Sequence, residues 1–202
     1  LWENWCKVKE KFMKVYMRYW NYVVATRRQI NPLIFSSVLV KDCVAKGKPM
    51  DDNGARYNKT VTLLNSGMVN VANAMAAIKK LVFEEKKYTL EEVCEACANN
   101  FGYEPVEKSG NFSMFNQKKV SREWEQIHRD LLEAPKYGND DDYVDSIFVD
   151  LWEHYNQTCF SETSYLGYEW IPAALSISAH GPFGRACGAS PDGRLAGVTL
   201  TD

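Results

Sequence analysis

The sequence predicts an α/β fold, and three observations carry that expectation. Apolar residues recur every three or four positions over several long stretches, which is the pattern of amphipathic helices. Short apolar or alternating runs lie between them, bounded by Gly, Pro and Asn, and read as strands buried between helices. The chain has 202 residues, 46% of them apolar, enough to bury one real core.

Trp2, Trp5, Val8, Phe12, Val15, Tyr16, Tyr19 and Val23 share helical spacing, so residues 2–26 are expected to form a long helix. Its aromatic stripe reads as core rather than a cofactor box. Lys7, Lys9, Lys11, Lys14 and Arg18 fill other faces among Glu3 and Glu10, as on a solvated surface. Arg27 and Arg28 suit the negative end of that helix, and Asn31-Pro32 stops it. Residues 33–40 fit a buried strand or a short helix, and a polar loop covers 45–54. Residues 57–64 alternate loosely as a strand, broken by Asn65-Ser66-Gly67.

Val71, Met75, Ile78 and Val82 align a helix over 68–83. Thr89 and Glu92 have capping-box spacing for a further helix ending near Asn99-Asn100. Leu90, Cys94, Cys97 and Phe101 are its expected inner face. Residues 102–117 are polar and read as an exposed excursion. Ser121 is the expected cap of a helix through Leu132, ended by Pro135 and Gly138. Asn139-Asp140-Asp141-Asp142 reads as acidic capping for a helix with Tyr143, Ile147, Leu151 and His154 on one stripe. The acidic run lacks the Gly and Glu positions of a calcium loop, so no metal site is expected. The chain then shows an alternating strand at 175–178, a Gly-rich loop through Gly188, a turn at Pro191-Asp192-Gly193 and a strand-like 198–200.

A net charge of −2 gives no electrostatic footprint for nucleic acid or an anionic membrane. No apolar run reaches the ~18 residues of a membrane span. The six cysteines are scattered without the spacing of a secreted disulfide framework, which favours a reducing cytoplasm. Cys94 and Cys97 form a single CxxC, and a zinc ribbon needs a second pair. The missing start methionine and the helical pattern at the first residue read as a piece of a longer chain, with both ends internal.

The histidines are His128, His154 and His180. The first two fall inside helical segments with no ligand four residues on, and read as structural. No HExxH, GxSxG, GxGxxG or Walker A pattern occurs. Seven residues of loop between His180 and Cys187 define no nucleophile–base geometry. Ser178, His180, Arg185, Asp192 and Arg194 cluster after the late strand. Residue chemistry leaves two readings of that cluster: a binding site, or a surface loop with ordinary turn chemistry.

The same stretch, GxxxGAxPDGRxAG from Gly184 to Gly197, resembles the late barrel of glycyl radical enzymes, the pyruvate formate-lyase-like family. Further blocks follow in family order: Asp42-Cys43, Gly54-Ala55-Arg56-Tyr57-Asn58, Ala77-Ile78-Lys79-Lys80-Leu81-Val82, and Pro135-Lys136-Tyr137-Gly138 through Asp145. The resemblance implies an incomplete portion of a ten-stranded α/β barrel, with residues 1–202 as part of a single domain. It implies a radical stored on a glycine and passed to a cysteine, inside an enclosure that excludes water and oxygen. No cysteine here stands in the family's Cys-loop context, and no glycine in its RVxGY-like context. Both radical carriers are therefore expected outside these residues, and the fragment alone is expected to be inactive.

By place in the resembling segment, Ser176, Ser178, His180, Pro182 and Phe183 are the expected substrate-pocket residues. Arg185, Asp192 and Arg194 are expected to hold the loop through charge-assisted hydrogen bonds. The implied partners are a small-molecule substrate, an S-adenosylmethionine-dependent activating enzyme and, at full length, further copies of the protein. The phrasing around His180 and the expanded segment before Glu133 point to the decarboxylase or dehydratase branches. A formate C-acetyltransferase-type member and a truncated interaction module are the alternatives.

Overall fold

The computed structural model describes residues 1–57, 61–104 and 117–201. Among them it is a mixed helix-and-strand structure with two compact units, residues 1–64 with 152–173, and residues 65–151 with 174–202. Part of the expected excursion at 102–117 lies outside the described residues.

The first unit is built on helix α1, Trp2–Ile30. Arg27 and Arg28 sit in its last turn, and the Asn31 N–H caps Arg27 O. Only Met13 and Met17 of this helix are buried. Val8, Phe12, Val15, Tyr16 and Tyr19 are exposed, so the expected core stripe is not the inner face of this unit. The helix carries apolar residues around most of its girth, and spacing alone does not select among them.

Residues 33–40 contain the short helix α2, Ile34–Val38, followed by α3, Cys43–Lys46. Asp42 turns the chain between them at φ 76°, and Arg56 grips its carboxylate with two hydrogen bonds of 2.8 Å. Strand β1, Val61–Asn65, pairs with β2, Trp170–Ala174. Helix α7, Asp142–Phe160, contributes its last turns here. The buried Tyr155 donates its hydroxyl to Leu63 O at 2.5 Å, and Trp170 and Cys159 complete the interior.

In the second unit α4, Met68–Ile78, runs into a wide π-helical turn at Lys79–Glu84, so the expected helix over 68–83 loosens at its end. Helix α5, Leu90–Ala98, begins with the capping box foreseen in Thr89 and Glu92. Its inner face is Val93 and Ala96. Cys94 is exposed, which corrects its assignment to the buried stripe.

Helix α6, Glu125–Glu133, starts after Trp124 rather than at Ser121. The Ser121 hydroxyl is spent on a local turn, accepting from the Glu123 N–H. Asp141 accepts from the Tyr143 N–H and caps α7. That helix buries Val144, Leu151, Tyr155 and Cys159, a stripe rotated from the expected Tyr143, Ile147 and His154. Ala77, Leu81, Val93, Ala96, Phe101, Ile127, Leu131 and Ala134 form the core of this unit.

The late strand lies earlier than its alternation suggests. Pairing stops at Ala174, and 175–178 are irregular. Helix α8, His180–Ala186, occupies the expected loop, and residues 198–200 are not a strand. Alternation over four residues specifies no hydrogen-bond partner, and β1 pairs with 170–174 instead.

Candidate functional site

The segment from Ser176 to Thr201 belongs to the second unit. Its first part carries the expected pocket residues. Ser176, Ser178 and Pro182 are exposed, and Phe183 is 50% exposed. The His180 ring donates from Nδ1 to Ile177 O at 2.7 Å, which sets the tautomer of the neutral imidazole. Arg185 lies exposed in the last turn of α8.

The opposite face of α8 is buried through Gly181 and Gly184. It packs on the irregular strap 190–201. A Cβ on Gly184 would stand 2.2 Å from Val198 O and 2.6 Å from Thr199 Cα. The Leu200 N–H donates to His180 O at 3.2 Å, and the Gly197 N–H to Cys187 O at 3.0 Å. Helix and strap therefore meet backbone to backbone.

Asp192 and Arg194 organise the strap from inside. The buried Asp192 carboxylate accepts from Ser190 Oγ at 2.6 Å, from the Arg194 N–H at 3.3 Å and from Asn70 Nδ2 at 2.6 Å. The Arg194 guanidinium donates to Leu195 O at 3.1 Å, to Val198 O at 2.8 Å and to Gly188 O. Gly193 closes the turn at φ 89°, where a side chain is disfavoured. A Cβ there would also meet Leu132 Cδ2 at 2.6 Å.

Four buried polar residues support this loop or its surroundings and were not singled out from sequence: Asn70, Asn73, Asn100 and His128. His128 Nε2 donates to Gly193 O at 2.9 Å, with its ring stacked on Phe101 at 4.5 Å. Burial pushes its pKa down, against the opposing pull of that carbonyl. Asn100 and Phe101 both hold left-handed φ, 49° and 52°, and present the Asn100 amide to the Ala196 N–H at 2.7 Å. Asn73 accepts from the Tyr137 N–H at 2.7 Å. Asn70 and Asn73 are polar insertions in the apolar helix MVNVANAMAAI, and that interruption is the sequence signal that marks them.

The first unit contains an apolar cavity of about 270 Å³ lined by Ile34, Val38, Cys43, Val44 and Pro49, with Ser37 and Lys48 among its polar neighbours. The Ser37 hydroxyl is engaged, donating to Leu33 O and accepting from the Met50 N–H. This cavity brings no titratable cluster together. Among the described residues, no three His, Cys, Asp or Glu side chains are grouped to hold a metal, and no helix is long and apolar enough to cross a membrane.

Residues 1–184 match the family model described as pyruvate formate lyase-like. The chain belongs to the pyruvate formate lyase-like family. It is 57% identical over 205 aligned positions to indoleacetate decarboxylase of Tractidigestivibacter scatoligenes, covering 100% of this chain and 23% of that protein. It is 39% identical to the 4-hydroxyphenylacetate decarboxylase glycyl radical subunit of Clostridioides difficile, covering 87% of this chain and 20% of that one.

Among solved structures, the hydroxyproline dehydratase of Clostridioides difficile superposes with a TM-score of 0.82 at 27% identity, over 100% of this chain and 23% of its own. A Roseburia inulinivorans structure of 1,2-propanediol dehydration gives 0.74 at 35% identity, over 90% of this chain and 21% of its own. The chain thus spans about a fifth to a quarter of the relatives it matches. The family expected from the Gly184–Gly197 motif is the family found.

Proposed function

We propose that this chain is a wall-and-pocket section of a glycyl radical decarboxylase acting on an arylacetate. The observation that carries this reading is the 57% identity to indoleacetate decarboxylase across the whole chain, against 31% to (2S)-3-sulfopropanediol dehydratase over 90% of it. In the whole protein this section is part of one ten-stranded α/β barrel domain. The reaction converts an arylacetate and a proton into a methylarene and carbon dioxide.

Ser176, Ser178 and His180 supply hydroxyl and imidazole groups for the substrate carboxylate. Pro182 and Phe183 supply apolar surface for its ring. Such a division, a few polar groups among apolar walls, is the usual make-up of a small-molecule pocket. Arg185, Asp192 and Arg194 hold the loop. The radical glycine and the thiyl cysteine belong to segments outside these residues, and Cys187 is not the thiyl position. The bound radical supplies hydrogen-atom abstraction, and this section supplies orientation and exclusion of water. An S-adenosylmethionine-dependent activating enzyme installs the radical, and the full-length protein self-associates in a reducing cytoplasm.

The test uses the full-length protein, activated without oxygen and checked for a glycyl radical by electron paramagnetic resonance. It is then supplied with carboxyl-labelled indoleacetate, 4-hydroxyphenylacetate or propane-1,2-diol. Labelled carbon dioxide and a methylarene are expected. A radical-loaded protein that releases none, or that turns over only the diol, overturns the reading in favour of a dehydratase.

A further inference from the structure

The strap 190–201 carries no regular secondary structure, yet its two ends are tied to the same side chain. Asn70, buried on α4, donates from Nδ2 to the Asp192 carboxylate at 2.6 Å and to Thr201 Oγ1 at 3.1 Å. Its Oδ1 accepts from the Thr201 N–H at 2.8 Å. One carboxamide thus engages the first turn of the strap through a charge-assisted bond and its last residue through a side-chain bond and a backbone bond. Asn100 and His128 hold intermediate points, at the Ala196 N–H and at Gly193 O.

We infer that Asn70 is a positioning residue for the substrate segment on α8. The inference rests on the proposed function for what that segment binds. The mechanical chain itself is complete in the structure. Asn70 sets the separation of Asp192 and Thr201. The strap between them presents Val198 O, Thr199 Cα and the Leu200 N–H to α8. Gly184 and His180 O receive them, so the helix carrying His180, Pro182 and Phe183 sits where the strap places it. A buried amide with its donor and acceptor sides both used tolerates no exchange of donor for acceptor.

That property supplies the test. N70D is nearly isosteric but sets a second carboxylate against Asp192. D192N in the same protein restores a donor and an acceptor facing each other with their roles reversed. In the full-length activated protein, N70D is expected to lower kcat/KM about 10- to 100-fold, the cost of a small misplacement of binding groups. Radical yield by electron paramagnetic resonance is expected to stay unchanged, and N70D/D192N to recover to within about threefold of wild type.

Hydrogen exchange of peptides covering 180–186 and 195–201 is read in parallel. Loss of protection in N70D and its return in N70D/D192N are expected, whichever substrate the wild type turns over. Kinetics on that wild-type substrate separate failure of the clamp from failure of the arylacetate reading. Unchanged kcat/KM in N70D overturns the positioning role, as does changed kinetics without changed exchange. If N70D does not accumulate as folded protein, the double variant decides alone: wild-type-like turnover supports the clamp, and failure to recover overturns it.

Discussion

Replacing Gly184 by Ala isolates the contact between α8 and the strap. The backbone at Gly184 is not in the left-handed region, so the added methyl group brings no conformational strain of its own. It brings overlap. The new Cβ would lie 2.2 Å from Val198 O, 2.6 Å from Thr199 Cα and 2.8 Å from the Leu200 nitrogen, more than an ångström inside ordinary contact at the first of these. All three are backbone atoms, so no side chain can swing aside. Relief requires α8 and the strap to separate, which lengthens the 3.2 Å bond from Leu200 N–H to His180 O.

Overpacking of this kind costs ~1–3 kcal/mol, and a lost backbone hydrogen bond adds about 0.5–1.5 kcal/mol. Gly188→Ala is the matched control, because its Cβ meets nothing within 4 Å. It is expected to be neutral, or to stabilise by up to ~1 kcal/mol through the unfolded chain. Hydrogen exchange over 180–186 and 195–201 in the full-length protein reads both. The expected result is faster exchange by about ten- to a thousandfold in Gly184→Ala alone. Equal exchange in the two variants would refute the backbone-to-backbone contact.

Three further outcomes follow from local chemistry. Tyr155→Phe removes the donor to Leu63 O at 2.5 Å and is expected to destabilise the first unit by ~1–3 kcal/mol, read as loss of protection in β1 and β2. Thr89→Ala breaks both halves of the capping box and is expected to cost ~0.5–2 kcal/mol, read at the amides of Glu91 to Val93. Burial pushes the Lys9 amine down to about 8, although its Nζ lies 4.6 Å over the Trp5 ring and 5.0 Å over Tyr155. Its pKa is thus below the unfolded value of 10.5, so the folded state gains stability as pH rises from about 8 through 10.5. Competitive acetylation followed by mass spectrometry should place its midpoint near 8, and a midpoint at the ordinary lysine value would remove the burial argument.

The sequence by itself determined what depends on near neighbours. The Thr89–Glu92 box was legible because both hydrogen bonds close within three residues. The stop after α1, the Asp141 cap and the Pro191–Gly193 turn were legible for the same reason, since turn and cap chemistry is local. Asp192 and Arg194 stood out as charged groups between breakers, and the ordered motif blocks around them pointed to the family.

Only the tertiary structure decided which faces and partners those elements use. Spacing gave α1 an amphipathic pattern, yet Met13 and Met17 are its buried residues while Phe12 and Tyr19 face outward. The late strand is 170–174 because β1 hydrogen-bonds there, and alternation at 175–178 carries no information about a partner. The same holds for the strap. Asn70 meets Asp192 across 122 residues of chain, and Asn100 meets Ala196 across 96. A buried carboxylate must find a donor, but the chain order does not say which one. That choice is made when the helices pack and leave a single amide within reach.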